Sequence, residues 1–190
     1  MSSKTQGGAQ VPGTAPPAES SVKQHKVLDA GSLPHARYGI PSGIVGAGVV
    51  AVFFLIFDLL AGRPFATPAA LGATLFLGQT FDLSAPPQGV LIAAYTAMHA
   101  VMFTAIASLL TVGLFSGREA PRPSGSLWIS LTGIGFLLVE GFFVAFTLLA
   151  GESLWAGLGF LRITVANVLA AAGMASMLTW FVARALRDPP

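Results

Sequence analysis

Four long apolar segments constrain this chain more than any other feature. They cover residues 43–61, 89–115, 126–150 and 157–186. A helix needs about 20 apolar residues to cross the roughly 30 Å of hydrocarbon in a bilayer, and each segment is long enough. Only helices and closed barrels satisfy their backbone polar groups in lipid, and these segments do not alternate as barrel strands do. The sequence therefore predicts an all-α integral membrane protein with a four-transmembrane-helix bundle.

The composition agrees with lipid as the main solvent of the folded chain. Hydrophobic residues make up 54% of it and charged residues only 9%, whereas a soluble domain carries about 25% charged residues. Cysteine is absent, which excludes disulfides and cysteine-ligated metal centres. Since the chain has no basic, aromatic-bearing soluble module, we expect it not to bind nucleic acid.

The chain divides into a tail and a membrane domain. Residues 1–38 are rich in Ser, Gly, Pro, Gln and Lys. Such a segment cannot bury enough apolar surface to offset its ordering entropy, so it is predicted to be a disordered cytoplasmic and juxtamembrane tail. Residues 39–188 are predicted to form the transmembrane domain. Pro41 is expected in the first turn of the first span, where its missing N–H costs little.

A short helix is predicted between the first two spans. The segment TPAALGATLFLG, residues 67–78, is too short to cross a bilayer at about 1.5 Å per residue. Thr67 is a candidate N-cap, Pro68 suits the first helical position, and Gly78 suits the end. We expect this helix to be interfacial or partly re-entrant, and to cover one end of the bundle.

Basic residues concentrate on one side of the predicted bundle. Lysines and arginines occur in the tail, in the connection between spans two and three, and after span four, whereas Arg63 is alone in the other connections. Since cytoplasmic loops carry the excess of Lys and Arg, both termini are predicted to be cytoplasmic. We interpret the chain as a protein of the cytoplasmic (inner) membrane, of bacterial type.

Small residues recur within the spans, as in GIVGAG at 43–48 and NVLAAAGMAS at 167–176. They let helix backbones approach closely, which is how helices associate in lipid. Tight packing inside the bundle is the favoured interpretation. Association with other membrane protein subunits, or self-association through a small-residue face, stays open. The lipid bilayer itself is the partner that the composition requires.

Polar residues inside the spans are the candidate site. A charge at the bilayer centre costs about 2.5–3.5 kcal/mol on insertion scales, so such groups tend to face the bundle interior and to pair. The predicted orientation places those within the spans between the midplane and the outer surface, below the connection at 63–83. We therefore predict an intramembrane polar cluster in the outer half, either structural or ion-handling. Its members are Asp58, Arg63, His99, Glu140, Arg162 and Asn167.

The charged members are expected to pair. Asp58 lies in a last helical turn and meets the negative end of the helix dipole, which costs about 0.3–1 kcal/mol. It therefore needs a partner, and Arg63 in the following turn is favoured over Arg162. Glu140 and Arg162 are interpreted as a buried ion pair that fixes helix register, with a carboxylate on an ion or proton path as the alternative. Asn167 is expected to hydrogen-bond between helices.

His99 shares a helical face with Tyr95 and Phe103, one turn to either side. A hydrogen-bonded core histidine is the favoured interpretation, and a proton relay is a second. A haem or chlorin ligand is the weakest, because the spans contain no second histidine for two-histidine ligation. We accordingly predict no cofactor and no metal site.

Three functions remain open. The chain has no phosphate-binding loop, hydrolase elbow or HExxH motif, so we predict that it is not an enzyme. A non-catalytic accessory or scaffold subunit of a membrane assembly fits best. The alternative is a small transport or proton- or ion-handling protein that uses the polar cluster. Cofactor binding through His99 is the weaker alternative.

Overall fold

The predicted bundle of four long helices is confirmed. A computed structural model describes residues 33–115, 122–150 and 153–187, and within these ranges every regular element is a helix. The long helices are α1 (Leu33–Leu60), α3 (Gly89–Phe115), α4 (Gly125–Ala150) and α6 (Phe160–Arg187). Each contains 23 to 27 consecutive residues apolar enough to cross a membrane. Two shorter helices complete the described part: α2 (Ala66–Leu77) and α5 (Ser153–Leu158).

Successive long helices run in opposite directions. The rings of Tyr38, near the start of α1, and Phe181, near the end of α6, lie 4.8 Å apart. We call this the terminal end of the bundle. At the other end of the bundle α1 ends and α6 begins, and the short helices α2 and α5 lie there. We call it the α2 end, and it carries the candidate site.

The helices form a ring in which α1 packs between α3 and α6, and α4 packs on α6. The neighbours α3 and α4 touch least. At the terminal end they meet α6 through a cluster that includes Leu110, Leu131 and Leu178. At the α2 end, a second cluster joins α2, α5 and α6 through Leu71, Leu154 and Ile163. This second cluster covers the bundle interior.

Small residues make the closest helix contacts, as predicted. A Cβ atom at Gly39 would overlap the backbone of Ser108, and one at Gly43 would overlap the backbone of Thr104. Both pairs have the same residue spacing in opposite directions, so α1 and α3 are antiparallel with their backbones in contact. On α6, the buried face is built from alanines that include Ala166 and Ala170, both 0% exposed.

The start of α1 differs from the prediction. The helix begins at Leu33, inside the predicted tail, and Pro41 lies within it rather than in its first turn. Pro41 cannot donate a backbone hydrogen bond, but it sits at the terminal end of the bundle, where water can bind the carbonyl that it leaves free. The hydroxyl of Ser42 donates to the carbonyl of Tyr38 at 2.8 Å. The rest of the predicted tail, residues 1–32, lies outside the described residues.

The predicted short helix between spans one and two is α2, and it packs against the bundle. Most of its residues are buried, and a Cβ atom at Gly72 would lie 2.6 Å from the carbonyl oxygen of Leu91 on α3. It ends as predicted at Gly78, which adopts a left-handed conformation with φ 64°. This close contact holds α2 directly over the polar residues of the spans.

Candidate functional site

Asp58 is bound to the start of α2. Its carboxylate accepts two hydrogen bonds from Thr67, one from the backbone N–H at 2.8 Å and one from the hydroxyl at 2.7 Å. Both residues are buried. The negative end of α1 disfavours this carboxylate, but the positive end of α2 lies against it and favours it. Asp58 therefore acts as the anion that caps α2 from the preceding helix.

The predicted N-cap of α2 is wrong by two residues. Phe65 occupies that position in a left-handed conformation with φ 65°, and its side chain makes no capping bond. A phenylalanine has no side-chain acceptor for the free N–H groups of the first turn. Thr67 lies inside the helix and donates to Asp58 instead. The capping acceptor is thus supplied nine residues earlier in the sequence.

A tight turn brings Asp58 and Thr67 together. Gly62 adopts a left-handed conformation with φ 68°. Its N–H bonds the carbonyl of Leu59 at 3.0 Å, and the N–H of Arg63 bonds the carbonyl of Asp58 at 2.9 Å. This pair of bonds is the Schellman motif that closes many helices. Because the backbone reverses here, Asp58 serves both the end of α1 and the beginning of α2.

Neither arginine is the partner of Asp58 in the described part of the chain. Arg63 donates from Nη1 to the carbonyl of Leu83 at 3.1 Å, which fastens the α2–α3 connection to the turn. The guanidinium of Arg162 lies 4.8 Å from the ring centroid of Phe57, a cation–π contact between α6 and α1. Both pairings expected for Asp58 are therefore replaced, and its acceptors are satisfied by the neutral Thr67.

Glu140 joins α4 to α6, but through Asn167 rather than the expected Arg162. The amide of Asn167 donates to the Glu140 carboxylate at 2.7 Å, and the hydroxyl of Thr164 lies 3.5 Å from its other oxygen. Asn167 is buried and bonds between helices as predicted. Arg162 lies five residues, or about 7.5 Å, closer to the start of α6. Its charge can thus reach the membrane surface, whereas the hydrogen-bond partners of the Glu140 side chain among the described residues are neutral.

A cavity of about 290 Å³ lies below α2. Its walls are mostly aliphatic and aromatic. Residues from all six helices contribute to them, and none of these residues lies at the terminal end of the bundle. Five polar side chains of the spans belong to its lining: Asp58, Tyr95, Thr96, His99 and Asn167. The exposed side chains of Val52 and Phe142 also belong to it, so the cavity is continuous with the lipid-facing surface.

His99 lies between two aromatic rings on the wall of this cavity. The ring of Tyr95 stacks at 5.5 Å between centroids, and that of Phe103 lies at 4.7 Å, as the helical spacing predicts. The expected hydrogen bond is missing among the described residues, because Nε2 is buried without a partner. A buried polar atom without a partner costs about 1–3 kcal/mol, so His99 retains bonding capacity that the fold does not use.

The six predicted members therefore do not form one cluster. Asp58 bonds Thr67, Glu140 bonds Asn167, and the two arginines have other contacts. The Nε2 of His99 has no partner among the described residues.

Sequence reasoning missed Thr67 as the donor to Asp58, because it placed Thr67 at the N-cap of the short helix. It missed Thr164 because a threonine in a span gives no charge signal. It also missed Thr132, whose hydroxyl on α4 is buried and finds no partner in the part of the chain that the structure describes. Three or more acidic or histidine side chains do not converge anywhere in the described ranges.

Outside the membrane, the connection after α2 carries one perturbed acid. The hydroxyl and backbone N–H of Ser84 donate to Asp82, at 2.7 and 2.8 Å. These bonds, with a smaller contribution from the charge of Arg63, lower the pKa of Asp82 below its usual value. This fully exposed carboxylate orders a turn on the surface and does not contribute to the cavity.

Four apolar helices of this length place the chain among small integral membrane proteins in contact with the lipid bilayer. Comparison of the sequence and the fold with protein-family models, curated proteins and solved structures finds no match.

Proposed function

We propose that the chain is a non-catalytic accessory subunit that packs into a larger membrane assembly. The observation that carries this proposal is the outer face of α4. The share of spanning residues that are buried within the bundle is lowest in α4, where it is 17%, and reaches 44% in α6. A lipid-facing helix with small residues on its exposed face lets a second helix approach closely.

The outer face of α4 includes two small residues, Gly141 and Ala145, that no described helix of this chain covers. Ile134, Leu137, Gly141, Ala145 and Leu148 lie at successive helical spacings and are all exposed. A Cβ atom at Gly141 would have nothing within 4 Å. The pair Gly141 and Ala145 has the small-xxx-small spacing that lets a second helix approach. It is the same spacing that Gly39 and Gly43 use inside the bundle.

A leucine at Gly141 should disrupt the assembly without unfolding the chain. The new side chain has free space in the isolated bundle, but would separate a helix packed on α4. We expect wild-type protein to co-purify with its partner in mild detergent, and Gly141→Leu to lose that partner while its thermal midpoint stays unchanged. Gly113→Leu is the matched control, since Gly113 is an exposed glycine of α3 with nothing within 4 Å. A wild-type chain that always runs as a lone monomer contradicts the proposal.

A second candidate function is proton or ion handling, and the surroundings of Glu140 favour it. This carboxylate is half-buried in the bundle and is held by the neutral Asn167 and Thr164. Acidic side chains within transmembrane segments commonly mark ion or proton paths. Because the described partners of Glu140 are neutral, this arrangement fits such a path more directly than the ion pair expected from the sequence.

Glu140→Gln separates this function from a structural role. The glutamine oxygen can still accept the hydrogen bond of Asn167, so the protein should remain folded and abundant. If Glu140 handles protons, proton flux into liposomes containing the wild-type chain, followed with a pH-sensitive dye, should fall to background in the variant. Glu140→Leu, which leaves the Asn167 amide unpaired, should instead lower stability. Equal flux for wild type and Glu140→Gln rules out the proton-handling role.

We further propose a bacterial inner-membrane location with both termini in the cytoplasm. This is supported by Arg184 and Arg187 in the last turn of α6 and by the contact between Tyr38 and Phe181, which brings both ends of the described bundle to one side. A reporter enzyme that is active only in the periplasm should be silent when fused to either terminus and active when inserted after Gln79. Activity at a terminus contradicts this topology.

A further inference from the structure

The cavity below α2 offers a hydrogen-bonding group that the fold leaves unused. Asp58 lines it, but the carboxylate already accepts two bonds from Thr67. Asn167 lines it as well, and its amide is bonded to Glu140. His99 has ring contacts only, and its Nε2 has no partner among the described residues. Tyr95 and Thr96 also bring hydroxyls to this wall. The Nε2 of His99 differs in being a fully buried atom without a partner among the described residues, so a new hydrogen bond there removes the cost of an unsatisfied group.

The size and lining of the cavity limit what could occupy it. Ligand sites are mostly apolar clefts of about 300–1,000 Å³ with a few placed polar groups, and this one has about 290 Å³. Its walls include Met102, Phe143 and Phe146, which suit an apolar or aromatic body. A charged or strongly hydrated molecule would lose its water here without compensation.

We propose that the cavity binds a lipid-soluble small molecule with an apolar, aromatic-sized body and one hydroxyl or carbonyl group. The apolar body packs against the α3 and α4 walls, and the polar group hydrogen-bonds the His99 imidazole. The molecule enters from the bilayer, because Val52 and Phe142 connect the cavity with the lipid-facing surface. This site is independent of the α4 face and goes beyond an accessory role.

Photolabelling of the full chain in liposomes tests the proposal. The probe is 4-hydroxybenzophenone, which has an aromatic body, a hydroxyl and a carbonyl, and on illumination attaches to nearby C–H bonds. Met98 and Met102 line the cavity, whereas Met177 does not and serves as an internal reference. Labelling of Met102, read by peptide mass spectrometry, should saturate with probe concentration. Labelling of Met177 should rise linearly, as for a probe dissolved in lipid.

Two variants assign the binding to the cavity and to His99. Loss of one hydrogen bond, at about 1 kcal/mol, corresponds to about a fivefold weaker affinity, so His99→Phe should need about fivefold more probe to label Met102. Thr132→Val is the matched control, because Thr132 is also buried without a partner but lies outside the cavity lining. Val139→Phe fills the cavity without changing His99 and should abolish saturable labelling.

Several results would overturn the proposal. One is linear labelling of wild-type Met102, which means that the probe only partitions there with lipid. Another is saturation that is the same in His99→Phe and wild type, which removes the role of the imidazole. Since the wild-type saturation curve needs no variant, the cavity remains testable even where a variant does not fold. Loss of α4-mediated assembly in Gly141→Leu should leave this labelling unchanged, so the two proposals fail separately.

Discussion

Gly43→Leu is expected to destabilise the bundle by about 2–3 kcal/mol, the upper range for forcing a larger side chain into a packed interior. A Cβ atom at Gly43 already overlaps the backbone of Thr104, and backbone atoms cannot rotate away as a flexible side chain can. The whole of α1 would have to move from α3, and the contact between Gly39 and Ser108 would open with it. Reversible unfolding in mixed detergent, followed by tryptophan fluorescence, measures the change.

Gly48→Leu is the matched control for this prediction. It makes the same substitution in the same helix, but Gly48 is exposed and a Cβ atom there has nothing within 4 Å. We expect a change within about 0.5 kcal/mol, as for substitutions away from packed contacts. If Gly43→Leu and Gly48→Leu destabilise the protein equally, the close packing of α1 on α3 at Gly43 is contradicted, because the position of the substitution then makes no difference.

The four spans and the close packing of small residues could be predicted from the sequence for a physical reason. Crossing a bilayer depends on the summed hydropathy of about 20 residues, and this sum does not require knowing which face each residue occupies. The face shared by Tyr95, His99 and Phe103 also follows from local helical spacing. Features that repeat with each helical turn, or that depend only on the length of a helix, can thus be predicted from the sequence.

The partners of the buried charges depend on depth and on turn geometry, which the sequence does not reveal. Pairing Glu140 with Arg162 followed charge alone, but Arg162 lies near the start of α6 while Asn167 is at the level of Glu140. Thr67 reaches Asp58 only because Gly62 reverses the chain between them. The cavity is harder still to foresee, since residues from all six helices line it and its walls depend on how these helices pack.

Asp58→Ala is expected to lower the free energy of unfolding by about 2–4 kcal/mol. The substitution leaves the buried N–H and hydroxyl of Thr67 without their acceptor, and each such buried donor costs about 1–2 kcal/mol, within the usual range for an unsatisfied group. Loss of an N-cap alone costs about 0.5–2 kcal/mol. Because Asp58 holds the start of α2, the same variant should also increase hydrogen exchange in residues 66–77 more than in the spans.

The assignment of Thr67 as the partner requires a double-mutant cycle. Thr67→Val keeps the backbone N–H but removes the hydroxyl that donates to Asp58. Once Asp58 is alanine, this second substitution should cost clearly less than it does in the wild-type chain, giving a coupling above the roughly 0.5 kcal/mol expected for independent sites. Asp82→Asn is the control for changing an acid at the same end of the bundle, and since Asp82 is exposed its effect should be small.

Arginine variants distinguish this cap from an ion pair. Arg63 bonds the Leu83 carbonyl and Arg162 lies over Phe57, so Arg63→Ala and Arg162→Ala should each add independently to Asp58→Ala. Coupling between Asp58 and either arginine, with none between Asp58 and Thr67, would mean that a cation holds the carboxylate. Coupling to Thr67 alone means that neutral donors hold the buried Asp58 at the end of α1. These donors belong to the start of α2, which the turn at Gly62 brings against it.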